Sequence, residues 1–198
     1  GLIIPLGELV LRMVCEQMSL WHAGELSPPR VAVNVSGRQL RRPEFLATLC
    51  SVLEETGCRP GWLELEVTES DILHNAEPAI ATLHDIRAMG IALSLDDFGT
   101  GYSSLSYLKR LPIETLKIDR SFIDGLPADG NDKAIVEAIL AMGQALGIKV
   151  LAEGVETRPQ ADFLEVAGCF EAQGYLFSRP VDVDSLTSML RKRTAVSE

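Results

Sequence analysis

Histidine, basic residues, paired cysteines and long apolar runs are all scarce in this sequence, and each scarcity closes off a class of function. Three histidines (His22, His74 and His84) occur among 198 residues. All fall in helix-like or loop segments, away from strand ends, so a zinc-type histidine cluster is not supported. Lys and Arg total 18 against 28 Asp and Glu, for a formal charge of −10. That surface repels phosphate polymers, so no nucleic-acid polymer is expected as a partner. A small anionic ligand stays open where metal ions neutralise it locally. No apolar run approaches the ~18 residues a spanning helix needs. The first segment carries Glu8 and Arg12 at helical spacing and lacks the basic start of a secretory leader. No membrane contact by this chain is expected. Cys15, Cys50, Cys58 and Cys169 show no Cys-x-x-Cys spacing; read as buried free thiols, they point to a reducing, cytoplasmic compartment. A Gly-rich P-loop is missing as well.

What is present is the balance of one globular domain, 46% hydrophobic and 23% charged, with no low-complexity linker. Strand-like and helix-like segments alternate. An amphipathic stretch from Pro5 to about Trp21 precedes the strand "RVAVNVS"; "EFLATLCSVLEETG" follows as a helix stopped by Gly57. "WLELEVTES" reads as a strand, and "EPAIATLHDIRAMG" as a helix with Pro78 in its first turn and Gly90 at its end. "IALSLDD", a short helix over "SSLSYLKRL", and the strand "TLKIDRSF" come next. The helix "NDKAIVEAILAMGQALG" is expected to take Asn131 as its cap and Ile135, Ile139, Met142 and Leu146 as one face. "KVLAEGVE", "RPQADFLEVAG", "EAQGYLFS" and a last helix near 183–192 complete the series.

Strands separated by helices run parallel, in an open doubly wound sheet or a barrel. Val31, Val33 and Val35 share one strand face, while Ala32, Asn34 and Ser36 share the other; Leu63, Leu65 and Val67 likewise oppose Glu64, Glu66 and Thr68. Strands of an open parallel sheet are apolar on both faces. One greasy and one small, charged face suit an α/β, TIM-like (β/α)8 barrel. Six βα units are visible where such a barrel has eight. The first two strands are therefore expected to lie upstream of an N-terminally incomplete domain over 1–198.

Polar residues recur near the strand ends: Asn34, Glu66, Asp96, Lys117, Glu153 and Gln173, spaced about one βα unit apart. Barrel enzymes keep their sites there. Asn34, Glu66, Asp96 and Asp97 offer oxygen ligands, which suit Mg²⁺ or Mn²⁺. Adjacent Asp96 and Asp97 invite a two-metal clamp on a phosphorus centre. Lys117 would orient a water or neutralise developing charge, and Glu153 would hold the second ion or a water. Each residue also has a plain structural reading. Asp-Asp before Gly is often a turn, Asn34 a satisfied buried amide, Lys117–Asp119 a structural ion pair. Arg41–Arg42 and Lys109–Arg110 read as solvated faces. The recurrence at successive strand ends favours function; no single residue does. A kinase reading of "DFG" at 97–99 fails, since no upstream catalytic loop, Gly-rich phosphate loop or strand lysine accompanies it.

The stretches "NVSGRQL", "ELEVTES", "DDFGTGYSSLSYLKRLPIETLKIDRSFI", "VLAEGVET" and "QGYLFSRP" together resemble the EAL-domain family of cyclic di-GMP phosphodiesterases. The resemblance covers nearly the whole chain. It implies hydrolysis of cyclic di-GMP to linear pGpG with Mg²⁺ or Mn²⁺. It implies Asn34, Glu66, Asp96 and Asp97 as metal ligands, Glu153 at the second metal or its water, and Lys117 at the attacking water. Glu156 and Gln173, with Asp119, would line the metal and substrate region. Glu69 would brace the loop of Phe98, Gly99, Thr100 and Gly101, which in this family lies near a homodimer interface. The Glu-Ala-Leu motif itself is not in the sequence. Its glutamate is a metal ligand in active members, so these residues alone are expected to turn over little. Upstream sensory or GGDEF domains are compatible with the pattern. A receptor that binds without cleaving, or a dimerisation module, remains the alternative.

Overall fold

The computed structural model describes residues 1–24, 26, 28–73, 76–100 and 105–196. The chain begins with helix α1 (Ile3–Ala23), strand β1 (Val31–Asn34) and helices α2 (Gly37–Leu40) and α3 (Phe45–Thr56). Next come β2 (Leu63–Thr68), α4 (Glu69–Leu73), α5 (Ala76–Ala88), β3 (Ala92–Phe98), α6 (Leu105–Leu108) and β4 (Thr115–Ile118). Then follow α7 (Gly130–Leu146), β5 (Lys149–Ala152), α8 (Arg158–Val166), β6 (Glu171–Ala172) and α9 (Val183–Val196). The six strands pair in parallel in sequence order, β1 to β6. A doubly wound sheet reverses its strand order. An unbroken order is the wall of a TIM-like barrel, here with β1 and β6 each paired on one side among the described residues.

Strand alternation sorts the side chains as expected. Val33, Val35, Leu63, Leu65, Val67, Leu93, Leu95, Leu116 and Ile118 are buried in one continuous core. That core also takes Leu11, Cys15, Met18 and Trp21 from α1 and Leu49 and Val52 from α3. At α7 the glycine Gly143 replaces a side chain, because a Cβ there would lie 2.4 Å from Val150 Cγ2; its absence lets α7 lie close to β5.

Several boundaries differ from expectation. Asp129, not Asn131, caps α7: its carboxylate accepts from the amides of Asn131 at 2.7 Å and Asp132 at 3.2 Å. The buried face of α7 is Val136, Ile139 and Gly143, and Ile135 turns to solvent. "EAQGYLFS" holds a strand only over Glu171–Ala172, because Gly174, at φ 155°, turns the chain toward β5. Glu69 opens α4 rather than ending β2. Among the free thiols, Cys15, Cys58 and Cys169 are buried, but Cys50 faces solvent.

Candidate active site

Lys117 organises the C-terminal mouth of the sheet. Its position on β4, third of four residues, points the side chain away from the core face that Leu116 and Ile118 occupy. Its ammonium lies 2.9 Å from Glu66 Oε2 of β2, 3.2 Å from Asp96 Oδ1 of β3 and 2.6 Å from Glu153 Oε1 after β5. Gln173, just past β6, donates from Nε2 to the same Glu153 oxygen. Five consecutive strands thus deliver side chains to one place. Asn34 ends β1 in register with Glu66 and is exposed.

Asp97 joins this group through a break in the strand. Between Leu95 and Phe98, β3 advances three residues while β4 advances two, from Leu116 to Ile118. This is a bulge, with two residues opposing one. Asp97 takes φ 55°, a left-handed conformation that aspartate tolerates better than most residues. Its amide donates to Asp96 Oδ1 at 3.0 Å. Carboxylate oxygens of Asp96, Asp97 and Glu153 all lie within 4.8 Å of one another.

The electrostatics follow from this crowding. Burial pushes the Glu66 carboxyl up, Lys117 pulls it back, and Asp96 and Glu64 push it further; the net shift is upward. Glu153 is raised for the same reasons, burial first. Asp97 is raised by burial, then by Asp96 and Asp119. Burial alone would lower Lys117, but its hydrogen bonds to Glu153 and Glu66 overcome that and raise it. Four carboxylates around one ammonium leave a surplus of negative charge, and every donor is oxygen. A hard divalent cation fits this set. The described histidines are elsewhere: His22 stacks on Trp62 with centroids 3.7 Å apart, and His84 Nε2 sits 3.1 Å from Arg110 O. His74 lies outside the described residues.

The remaining expected residues take other positions. Asp119 does not pair with Lys117; it caps the turn after β4, accepting from the Ser121 amide at 3.0 Å and from its hydroxyl. Glu156 is held by Arg120, Nη2 to Oε1 at 3.0 Å. Glu69 is buried, and its Oε2 accepts from the Gly99 amide at 3.4 Å. Phe98 is buried, and the Thr100 hydroxyl donates to Asp97 O at 2.9 Å. Gly101 lies outside the described residues. A cleft of about 540 Å³ adjoins Glu153 on this side, lined by Arg120, Glu156, Gln173, Tyr175 and Arg179 among others. The Arg179 guanidinium sits 4.5 Å over the Tyr175 ring.

The profile of the EAL domain family matches residues 1–180. The chain belongs to the EAL domain family. It is 46% identical over 186 residues to "Bifunctional diguanylate cyclase/cyclic di-GMP phosphodiesterase MucR" of Pseudomonas aeruginosa, covering 94% of this chain and 27% of MucR. "Cyclic di-GMP phosphodiesterase NbdA" of the same species is 46% identical over 191 residues, covering 96% of this chain and 24% of NbdA. The chain spans about a quarter of the length of these curated relatives. Among solved structures, the MucR phosphodiesterase in complex with c-di-GMP superposes with a TM-score of 0.90 at 46% identity, covering 94% of this chain and 75% of that one. A manganese/cy-diGMP complex of Klebsiella pneumoniae BlrP1 superposes with a TM-score of 0.80 at 30% identity, covering 89% and 44%.

Two residues beside this EAL site were not singled out from the sequence. Gln160 Oε1 accepts from the amides of Glu156 and Thr157, both at 2.9 Å, while its Nε2 donates to Ile123 O at 3.0 Å. The spacing Thr157-x-x-Gln160 is a capping-box signature that marks the start of α8. Arg120 carried no such signal.

Proposed function

We propose that this EAL domain is a metal-dependent phosphodiesterase that opens one phosphodiester of cyclic di-GMP to give linear pGpG. The observation that carries the reading is the Lys117 ammonium held among Glu66, Asp96 and Glu153, with Asp97 alongside. The names of MucR and NbdA and the c-di-GMP complex of MucR support it.

In this reading Asn34, Glu66, Asp96 and Asp97 would hold Mg²⁺ or Mn²⁺, and Glu153 would hold the second ion or its water. Two such ions, when bound, would lower the pKa of a water and offset negative charge at phosphorus. Lys117, kept protonated by Glu153 and Glu66, acts as a donor rather than a base. It fixes the carboxylates and hydrogen-bonds the attacking water, whose oxygen joins phosphorus as one P–O ester bond breaks; one water proton ends on the released ribose hydroxyl and the other on the new phosphate or in solvent. Gln173 holds Glu153 in place, and Glu156, Gln173 and Asp119 line the substrate region. These 198 residues alone are expected to show little or no turnover, because the Glu-Ala-Leu glutamate is not among them. A homodimer coupled through Glu69 and the loop from Phe98 to Gly101, a cytoplasmic setting and GGDEF or sensory domains in the parent belong to the same proposal. The free thiols suit that setting.

Incubation of the whole parent protein with cyclic di-GMP and Mg²⁺ or Mn²⁺, followed by chromatography, is expected to yield pGpG, and chelation to stop it. Glu66→Gln or Asp96→Asn should each cut the rate roughly 100-fold or more; near-wild-type rates in either would sink the metal assignment. Stabilisation by the nucleotide without pGpG would identify a receptor, and neither effect would leave a dimerisation module.

A further inference from the structure

We infer that Arg120 is a positioning residue for substrate binding, acting by fixing the Glu156 carboxylate at the wall of the cleft beside Glu153. The inference rests on the phosphodiesterase reading above. Arg120 opens the turn after β4, whereas Glu156 lies on the segment between β5 and α8. Its guanidinium joins the two: Nη2 contacts Glu156 Oε1 at 3.0 Å while Nε contacts Asp124 Oδ1 at 3.1 Å. One planar fork thus serves two carboxylates in different directions, which a lysine ammonium on a flexible stem does less well.

The path of the side chain is itself built into the backbone. Gly154 has φ 68°, and a Cβ there would lie 2.4 Å from Arg120 Cγ and 2.8 Å from its Cβ. The methylene stem therefore fills the space left by the missing side chain and carries the guanidinium across the segment that starts at Glu153. Beneath it, Gln160 stitches the same two segments, linking the Glu156 amide to Ile123 O. The Glu156 backbone is fixed by Gln160, so the freedom left to the residue is its side chain, and Arg120 removes that. Arg120 is half exposed, its side chain 52% accessible against 37% for Glu156. A pair so exposed adds little to stability, so its effect should appear in ligand binding.

Kinetics of pGpG formation at varied cyclic di-GMP test this in four versions of the whole parent protein: wild type, Arg120→Ala, Arg120→Lys and Glu156→Gln, with the double variant Arg120→Ala/Glu156→Gln as the decisive fifth. Arg120→Ala should raise KM about tenfold with kcat within about twofold, the effect of losing one charge-assisted contact made equally before and during reaction. Arg120→Lys should recover part of that loss. The double variant should be no worse than the worse single, because the two residues act through one contact. An unchanged KM in Arg120→Ala, or additive losses in the double variant, would overturn the inference. A fallen Tm with unchanged kinetics would overturn it too, leaving Arg120 as packing over Gly154. If the wild-type parent protein forms no pGpG, the phosphodiesterase reading itself falls and this inference falls with it.

Discussion

Lys117→Met would leave Glu66, Asp96 and Glu153 without the ammonium they share. Removing one partner of a buried ion cluster costs about 3–5 kcal/mol, because the remaining charges stay buried and uncompensated. The variant is therefore expected to melt earlier than the parent in the absence of metal. Added Mn²⁺ should then restore more stability to the variant than it adds to the parent, since it relieves the greater repulsion. Thermal melts with and without Mn²⁺ read both effects; equal Mn²⁺ shifts would argue against a cation site among these carboxylates. At the same scale, Asp96 and Asp97 were legible as a pair, and their neighbours at strand ends were legible from spacing. That Lys117 contacts three carboxylates at once was not, because the contacts join residues from β2 to β5 and no local pattern encodes them.

Between elements, Gln160 carries disproportionate weight. It is buried, at 5% exposure, and ties α8 to the segment after β4. Gln160→Leu keeps its volume but strands the amides of Glu156 and Thr157, while the Ile123 carbonyl keeps the Leu126 amide as its donor. The expected loss is about 2 kcal/mol, given that buried unpaired groups cost more than a bond gains. Urea melts measure it, and faster amide exchange at Glu156 and Thr157 would place the opening at the start of α8. Element identity was readable from sequence because alternation and glycine stops are local: Gly57 and Gly147, both at φ 68°, end α3 and α7. The cap of α7 was misread because Asp129 and Asn131 are both competent. The choice falls to the residue whose extended backbone, φ −80° and ψ 122°, aims its carboxylate at the first helical amides. The exposed Ile135 was misread because periodicity fixes a spacing but leaves the facing stripe to the neighbour, here Val150 of β5.

Over the whole molecule, charge is partitioned between the two ends of the sheet. At the strand starts, Glu114 is clamped by Arg30 at 2.6 Å and by Arg87. The Arg30 hydrogen bond holds its carboxyl below the ordinary value. Its contribution is therefore complete above that unfolded value and disappears as the pH falls through the depressed one. Glu114→Gln should cost about 1 kcal/mol near neutrality, and the difference from wild type should vanish in acid melts. At the other end the sign is reversed. Glu66 and Glu153 are raised, so protonation favours the fold fully below the unfolded value of 4.5 and the benefit is lost as the pH rises through the raised values. Protons and divalent cations compete for these oxygens. The gain in Tm from Mn²⁺ should accordingly be larger at about pH 8 than at about pH 5.5. A pH-independent gain would place the cation elsewhere.

The bulge in β3 has a consequence for how this site tolerates change in length. A strand behaves like a two-beat rhythm, and the extra residue between Leu95 and Phe98 is a dropped beat. If the same residues ran as a regular strand with no bulge, Asp96 and Asp97 would fall on opposite faces, and Phe98 would leave the core it now occupies. Deleting either aspartate would remove the extra residue, restore one-to-one pairing with β4 and keep Phe98 opposite Ile118, at the loss of one carboxylate. Inserting a residue there would instead shift the phase of everything from Phe98 to Gly99, whose amide rests on Glu69. Substitution or deletion at this point trims the site; one added residue would rewrite it.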